Sequence, residues 1–399
     1  MQPLAALSLR LARAGNSVRL ITHPMWEYLA RGAAPIEFVP LESNDPREVH
    51  VGYQRSRPRS LFGKIAQMRS AGHDYGDKAA VLEACRGAEA VLFSLMYWPA
   101  AHIAEYLDVP CAAAYVAPLF RTGAFPWPAG PAFLLRHSLG ATWNRLTHSL
   151  FERSARSRDL PWLNDWRRHL GLRAIRDQED WAEGRQIPRL YGHSAAYLPK
   201  PADWPPWHHV TGYWFWTDEA WEAPAALAAF LDSRAPTAFI GFSSSIVDDP
   251  GLIERVILPA VRRVGCRAVI GRGWSTVRLP EADDVFVLDT CPYEWLFPRV
   301  SVVVHASGAS TVGEVLRSGK PSVCMPKFGD QRFHAARLER LGVAPRQLSP
   351  EHLSIPRLSR ALREALGDEM QSAARAMGCR VRDEDGAGRA VQILEKALA

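Results

Sequence analysis

Cys291–Gln331 reads CPYEWLFPRVSVVVHASGASTVGEVLRSGKPSVCMPKFGDQ. It sets strand, loop, helix, strand and polar loop in one continuous run. Val300–Val304 is a short β-branched run, the pattern of a strand buried on both faces. It ends at His305. The small-residue turn Ala306-Ser307-Gly308-Ala309 follows, and Ser310-Thr311 then reads as a helix start. The helix is predicted to run to about Arg317 and to stop at Gly319-Lys320-Pro321. A second strand, Ser322–Met325, leads into Gly329-Asp330-Gln331. A glycine-containing turn that leaves a strand and opens a helix favours anions. Free N–H groups and the helix dipole both point at the ligand.

Working outward, the same alternation continues upstream. Strands are expected at Ala238–Phe242, Arg267–Ile270 and Val285–Leu288, with a helix at Pro250–Val264. In the first half, Leu4, Leu7, Leu11 and Ala14 fall at helical spacing, and Gly15-Asn16 supplies a stop. Val18–Thr22, Ile36–Val39 and Ala90–Ser94 read as strands, and Lys78–Arg86 as a helix. Alternating strands and helices predict parallel sheets in an α/β protein. No strand precedes the first helix, although the first strand-to-helix turn of such a domain usually carries a site.

Composition narrows the class. At 399 residues the chain is too long for one ordinary core, so two domains are expected. The 47% hydrophobic and 23% charged content suits a soluble globular protein, and no apolar run approaches the ~18 residues of a membrane span. Six cysteines lack metal-ligand spacing and read as reduced thiols of a cytoplasmic protein. The net charge of +6 suits an anionic ligand or membrane surface. No dense Lys/Arg cluster is interleaved with aromatics, which argues against nucleic acid. Ten of the 14 tryptophans lie between Trp127 and Trp221, which points to large apolar surfaces there.

Taken together, the chain resembles the family 1 glycosyltransferases of the GT-B fold. It is most similar to the bacterial branch that is like sterol glucosyltransferases and antibiotic glycosyltransferases. The resemblance rests on His305, the turn Ser307–Thr311 and the late pair Asp330-Gln331, and is strongest over Ala238–Ala344. It implies two Rossmann-like domains facing a cleft, the C-terminal one for a nucleotide sugar and the N-terminal one for the acceptor. Domains are expected at 1–198 and 225–382, with a Pro/Trp-rich linker at 199–224 and a closing segment at 383–399 whose helix is Ala387–Leu398.

Residue by residue, the resemblance implies that His305 contacts the donor diphosphate. Gly308, Ser310 and Thr311 cradle it with N–H groups and hydroxyls. Asp330 and Gln331 bind sugar hydroxyls, since a carboxylate accepts and an amide both accepts and donates. Ser244, in the turn Gly241–Ser245, lies near the phosphates. Trp274 and Cys291 lie by the base and ribose, and Glu314 matches a ribose-binding glutamate if one residue is inserted before it. Three positions depart from the pattern: Ser307, Ser310 and Ser243 stand where glycine is usual, adding side chains where backbone should approach phosphate. The family opens with a strand and a loop that carries a general base, and a Gln-Pro or similar pair then starts the first helix. This chain begins Met1-Gln2-Pro3, so that first strand and the base are expected upstream of Met1.

The implied activity is metal- and cofactor-independent transfer of a hexose, with inversion, from a UDP- or dTDP-sugar to a hydroxyl of an apolar small-molecule or lipid acceptor. An alternative is a catalytically impaired nucleotide-sugar-binding protein that partners or activates another transferase. A nucleotide-sugar epimerase would need acidic residues around the sugar carbon, and no convincing set is present. Residues 45–77 read as a long loop. Phe133–Arg158 reads as a basic amphipathic helix whose stripe Leu135, Leu139, Trp143, Leu146 and Leu150 packs on the first domain, or else meets an apolar acceptor or the membrane periphery. Asp383-Glu384-Asp385 reads as a solvated loop or helix cap, and Asp248-Asp249 and Asp283-Asp284 as turn and capping residues. His23 is expected to be structural, and His208-His209 to lie on the linker surface.

Overall fold

The structure, a computed structural model, describes all residues except 32–34, 42–44, 46, 49–76, 131–139, 177–185, 243–250, 274–281 and 399. The chain divides into two compact units. One comprises Met1–Trp216 with Asp385–Ala399, the other Thr217–Glu384.

In the first unit, helix α1 (Gln2–Arg13) buries Ala5, Ala6, Leu7 and Leu9. The Asn16 side chain closes its end by donating to the Leu11 carbonyl at 3.1 Å. Strand β1 (Val18–Thr22) pairs in parallel with β2 (Ile36–Pro40) as a separate two-stranded sheet. Helix α2 (Lys78–Ala84) starts on Asp77, whose Oδ1 accepts the N–H groups of Ala79 and Ala80. Strand β3 (Val91–Ser94), helix α3 (Ala100–Leu107), β4 (Cys111–Tyr115), helix α4 (Ala141–His169), β5 (Arg189–Tyr191) and β6 (His208–Val210) follow. β3, β4, β5 and β6 form an all-parallel sheet in that order. The run Cys111–Tyr115 is CAAAY, without the β-branched signal of a strand. Its alanines instead let Ala6 and Leu7 of α1 and Ala390, Val391 and Leu394 of the C-terminal helix pack closely on the sheet.

Three expectations are corrected here. The C-terminal helix Gly386–Leu398 belongs to the first unit. A methyl group on Gly386 would lie 2.4 Å from the backbone of Gly212 and Tyr213, so only glycine permits that approach. The Pro/Trp-rich run 199–224 is packed structure as far as Trp216. It contains β6, and fully buried His208 meets the Tyr191 hydroxyl at 3.0 Å instead of lying on a surface. Helix α4 hides a polar face. Asn144 donates to the Gly123 carbonyl, the Thr147 hydroxyl accepts the Trp127 N–H, and His148 Nε2 meets the Phe125 carbonyl. Satisfying that loop's backbone outweighs two leucines, so Leu146 and Leu150 stand 46% and 58% exposed; Leu135 and Leu139 lie outside the described residues. Asp283 and Asp284 lie in a turn as expected, and Asp284 also forms a two-point ion pair with Arg262 at 2.6 and 2.9 Å. Asp383–Asp385 does act as a cap: Asp385 accepts the Gly388 N–H and pairs with Arg10. His23 caps the turn Pro24–Ala30 by accepting the Met25 N–H.

The second unit carries the quoted stretch. Helix α5 (Ala225–Leu231) precedes β7 (Thr237–Gly241), α6 (Leu258–Arg262), β8 (Arg267–Gly271), β9 (Val285–Leu288) and β10 (Val302–His305). Helix α7 (Ala309–Ser318), β11 (Ser322–Cys324), α8 (Gln331–Arg340), α9 (Ile355–Ala365) and α10 (Asp368–Arg382) complete it. The sheet is all parallel, in the order β11-β10-β7-β8-β9. Val302 and Val304 enter one core, with Ile240 and Ile257. Val303 enters the other, with Phe239 and Phe297, as a strand buried on both faces requires. Among the described residues, no helix is long and apolar enough to cross a membrane.

Candidate functional site

Sheet order locates the site. From β7 the chain moves through β8 and β9 to one side, then returns to lay β10 and β11 on the other. The order therefore reverses between β7 and β10, and ligands of open parallel sheets bind at the carboxyl ends of the strands at that reversal. His305 ends β10 there, directly beside Gly241 of β7. It is also paired with Cys324 of β11, and the loop that follows carries Asp330. The quoted stretch thus brings His305, Ser307, Gly308, Ser310, Thr311, Asp330 and Gln331 to one edge of the second unit. Cys291 lies just past the end of β9 at the same edge. Ser244 and Trp274 lie outside the described residues, in the segments after β7 and β8.

His305 is 1% exposed, and burial holds its pKa down at about 3, so the ring is neutral. Its Nδ1 accepts the Ser307 N–H at 3.1 Å, which leaves the proton on Nε2. That Nε2 is buried without a hydrogen-bond partner among the described residues. A neutral, pre-aimed N–H donor therefore stands at the switch point. Beside it, α7 begins at Gly308, and among the described residues no side chain caps it and a methyl group added to Gly308 would meet nothing within 4 Å. The start of a helix beside a buried donor suits a phosphate.

Ser307 is the strained point of this turn. Its φ is +65°, a left-handed conformation rare for non-glycine residues, and it is fully buried. Its hydroxyl lies by the weakly polar Cys324 thiol and makes no hydrogen bond of good geometry among the described residues. Ser307→Gly should therefore stabilise the protein by about 1 kcal/mol, from relief of left-handed strain and of an unsatisfied hydroxyl, less the entropy of glycine. A melting temperature at or below that of the parent protein would show that the serine is accommodated without strain.

Two residues play parts that sequence alone did not suggest. Gln331 is buried, and its Oε1 accepts the N–H groups of Lys327 and Phe328 at 2.8 and 3.2 Å, so it braces the loop that carries Asp330. Glu314 is taken up by Arg317 at 2.6 Å, and Arg317 also reaches Glu294. Burial raises the Glu314 pKa to about 7, against the pull of Arg317. This network joins α7 to the short helix Tyr293–Leu296. Cys291 is a packed thiol whose pKa burial raises to about 12.

Three buried histidines predict the acid response. His148, His208 and His305 are held at about 4, 2 and 3, each first by burial. In the unfolded chain each takes a proton near pH 6.5. Below that pH the unfolded state binds protons that the folded state refuses, so stability falls as pH falls. The slope is about 1.4 kcal/mol per pH unit per histidine until each folded pKa is reached. Glu314, raised to about 7, binds its proton in the folded state first and offsets about one histidine over this range. Melting temperatures should still drop from pH 6.5 to 4.5, and a flat profile contradicts this assignment.

Likeness to known proteins agrees with this geometry. Residues 295–377 match the family model described as UDP-glucoronosyl and UDP-glucosyl transferase. All of the chain aligns with a sterol 3-beta-glucosyltransferase of Aspergillus clavatus, 30% identical over 415 residues, and with one of Leptosphaeria maculans, 31% identical. The chain spans 29% and 28% of the lengths of these curated relatives. Among solved structures, the glycotransferase of kitacinnamycin superposes with a TM-score of 0.74 at 17% identity, covering 100% of this chain and 96% of that one. The calicheamicin glycosyltransferase gives 0.68 at 18% identity, covering 99% and 94%. A Streptomyces glycosyltransferase complexed with thymidine diphosphate gives 0.64 at 15% identity, covering 100% and 96%. The fold is therefore that of the GT-B glycosyltransferases. The chain is similar to the family 1 glycosyltransferases, over residues 295–377 by the family model and along its whole length by these relatives.

Proposed function

We propose that this protein transfers a hexose from a UDP- or dTDP-sugar to a hydroxyl of an apolar acceptor, a sterol or similar lipid in the first instance. The single observation that carries this is the neutral, unpartnered Nε2–H of His305 beside the open helix start at Gly308, placed at the reversal point of the second unit's sheet. The lipid acceptor is supported by the relatives named sterol 3-beta-glucosyltransferase.

Chemistry follows from this arrangement. The departing nucleotide diphosphate gains negative charge as the glycosidic bond breaks. Fixed N–H donors at His305 and at the start of α7 meet that charge without reorganisation and without requiring a metal. The sugar becomes oxocarbenium-like, so its hydroxyls must be held in one orientation, a part suited to the Asp330 carboxylate. A single displacement by the acceptor hydroxyl inverts the anomeric carbon. That hydroxyl needs a base, whose contribution is typically on the order of 10²–10⁴-fold.

Titration calorimetry with UDP, UDP-glucose, dTDP and dTDP-glucose tests donor binding, and product analysis with a sterol acceptor tests transfer. Binding of a nucleotide sugar together with formation of an inverted glycoside is expected. Binding without turnover would favour a partner or activator of another transferase. Binding of none of the four ligands overturns the proposal.

A further inference from the structure

We propose that His334 is a positioning residue that aims Asp330 at the donor sugar. This inference rests on the nucleotide-sugar function proposed above. Asp330 stands at the N-cap of α8, where a carboxylate ordinarily accepts backbone N–H groups of the first turn. Here the side chain makes no such bond. It turns instead along the helix, and Oδ2 lies 3.2 Å from His334 Nε2, one turn away. A carboxylate only accepts, so Nε2 carries the proton and donates.

Burial gives the pair a direction. The His334 side chain is 3% exposed and Asp330 28%. The imidazole is thus a fixed post in the core, packed against the Phe333 ring at 5.7 Å between centroids, and the carboxylate is its outward end. From the other side, Gln331 holds Lys327 and Phe328 and so fixes the turn from which Asp330 projects. One carboxylate oxygen is tied by His334. The geometry leaves Oδ1 for a ligand hydroxyl, and a carboxylate aimed in this way recognises a sugar hydroxyl far better than a freely rotating one.

The test separates sugar recognition from nucleotide recognition. His334→Phe and His334→Met, two apolar replacements for a buried site, remove the donor. His334→Gln keeps an N–H at similar reach. Affinities are measured for UDP-glucose against UDP, and for dTDP-glucose against dTDP. Each apolar variant should weaken the nucleotide sugar roughly tenfold, the worth of one hydrogen bond to a charged group. Affinity for the bare nucleotide should stay within about twofold of the parent, and His334→Gln should recover most of the loss. Two outcomes overturn the proposal: unchanged nucleotide-sugar affinity in a folded apolar variant, or equal loss of sugar and bare nucleotide, which marks His334 as a structural post only. Two apolar variants are used so that a packing failure in one leaves the other to decide. If the parent protein binds neither nucleotide nor nucleotide sugar, the functional proposal itself fails, an outcome distinct from both.

Discussion

Replacing His305 by alanine is expected to lower the affinity for UDP and for UDP-glucose together, by roughly 10- to 100-fold, the worth of a hydrogen bond to a charged group. The equal loss is the diagnostic part. His305 Nε2–H stands at the sheet's reversal point, beside the open helix start, and neither is placed to read the sugar alone. Two effects act together. The donor itself disappears, and the Ser307 N–H loses the Nδ1 acceptor that holds the turn. His305→Gln, which keeps a side-chain N–H, should lose less than His305→Ala. Since His305 is neutral well above its folded pKa of about 3, donor affinity should not fall between pH 6 and 8 through its titration. Calorimetry on folded variants checks each point. Parent-like affinity for UDP in folded His305→Ala removes His305 from the site.

Glu105→Ala should have the largest effect on stability. Arg167 on α4 is almost fully buried, and both of its terminal nitrogens donate to Glu105 on α3, at 2.6 and 2.7 Å. Its other partners among the described residues are the His102 ring at 2.7 Å and the Arg173 carbonyl at 2.7 Å. Without Glu105 a buried guanidinium has no counter-charge, and breaking such a pair from one side costs about 3–5 kcal/mol. In a unit of this size that lowers the melting temperature by roughly 10 °C. The pairing itself is not the source of the effect. The double variant Glu105→Leu/Arg167→Met, which removes both charges, should be far milder than Glu105→Ala. Equal losses in the two would mean that packing of these side chains, and not the stranded charge, dominates.

Much of the second unit was legible in sequence. Val285–Leu288 is a strand over the expected residues, and the helix expected from Ser310 to Arg317 spans Ala309–Ser318. These elements carry their signals locally, in β-branched runs and in small-residue turns at their ends. The first unit was less legible. β4 is alanine-rich because two helices press on it, and β5 and β6 are three-residue strands among prolines and tryptophans. Helix α4 misled because periodicity counts leucines but cannot see that a neighbouring loop needs hydrogen bonds.

Sequence by itself therefore determined the alternating α/β plan, the strand–turn–helix that carries His305, and the late Asp330-Gln331 pair. Each depends on neighbours a few residues apart, where backbone geometry makes spacing informative. Tertiary structure alone decided what the side chains do. It set His305 beside Gly241, which lies 64 positions earlier in the chain, and so made it a buried neutral donor. It committed Glu314 to Arg317, gave Gln331 to its own loop, and joined His334 to Asp330. Hydrogen-bond partners and burial are set by which surfaces meet, and no local pattern encodes that.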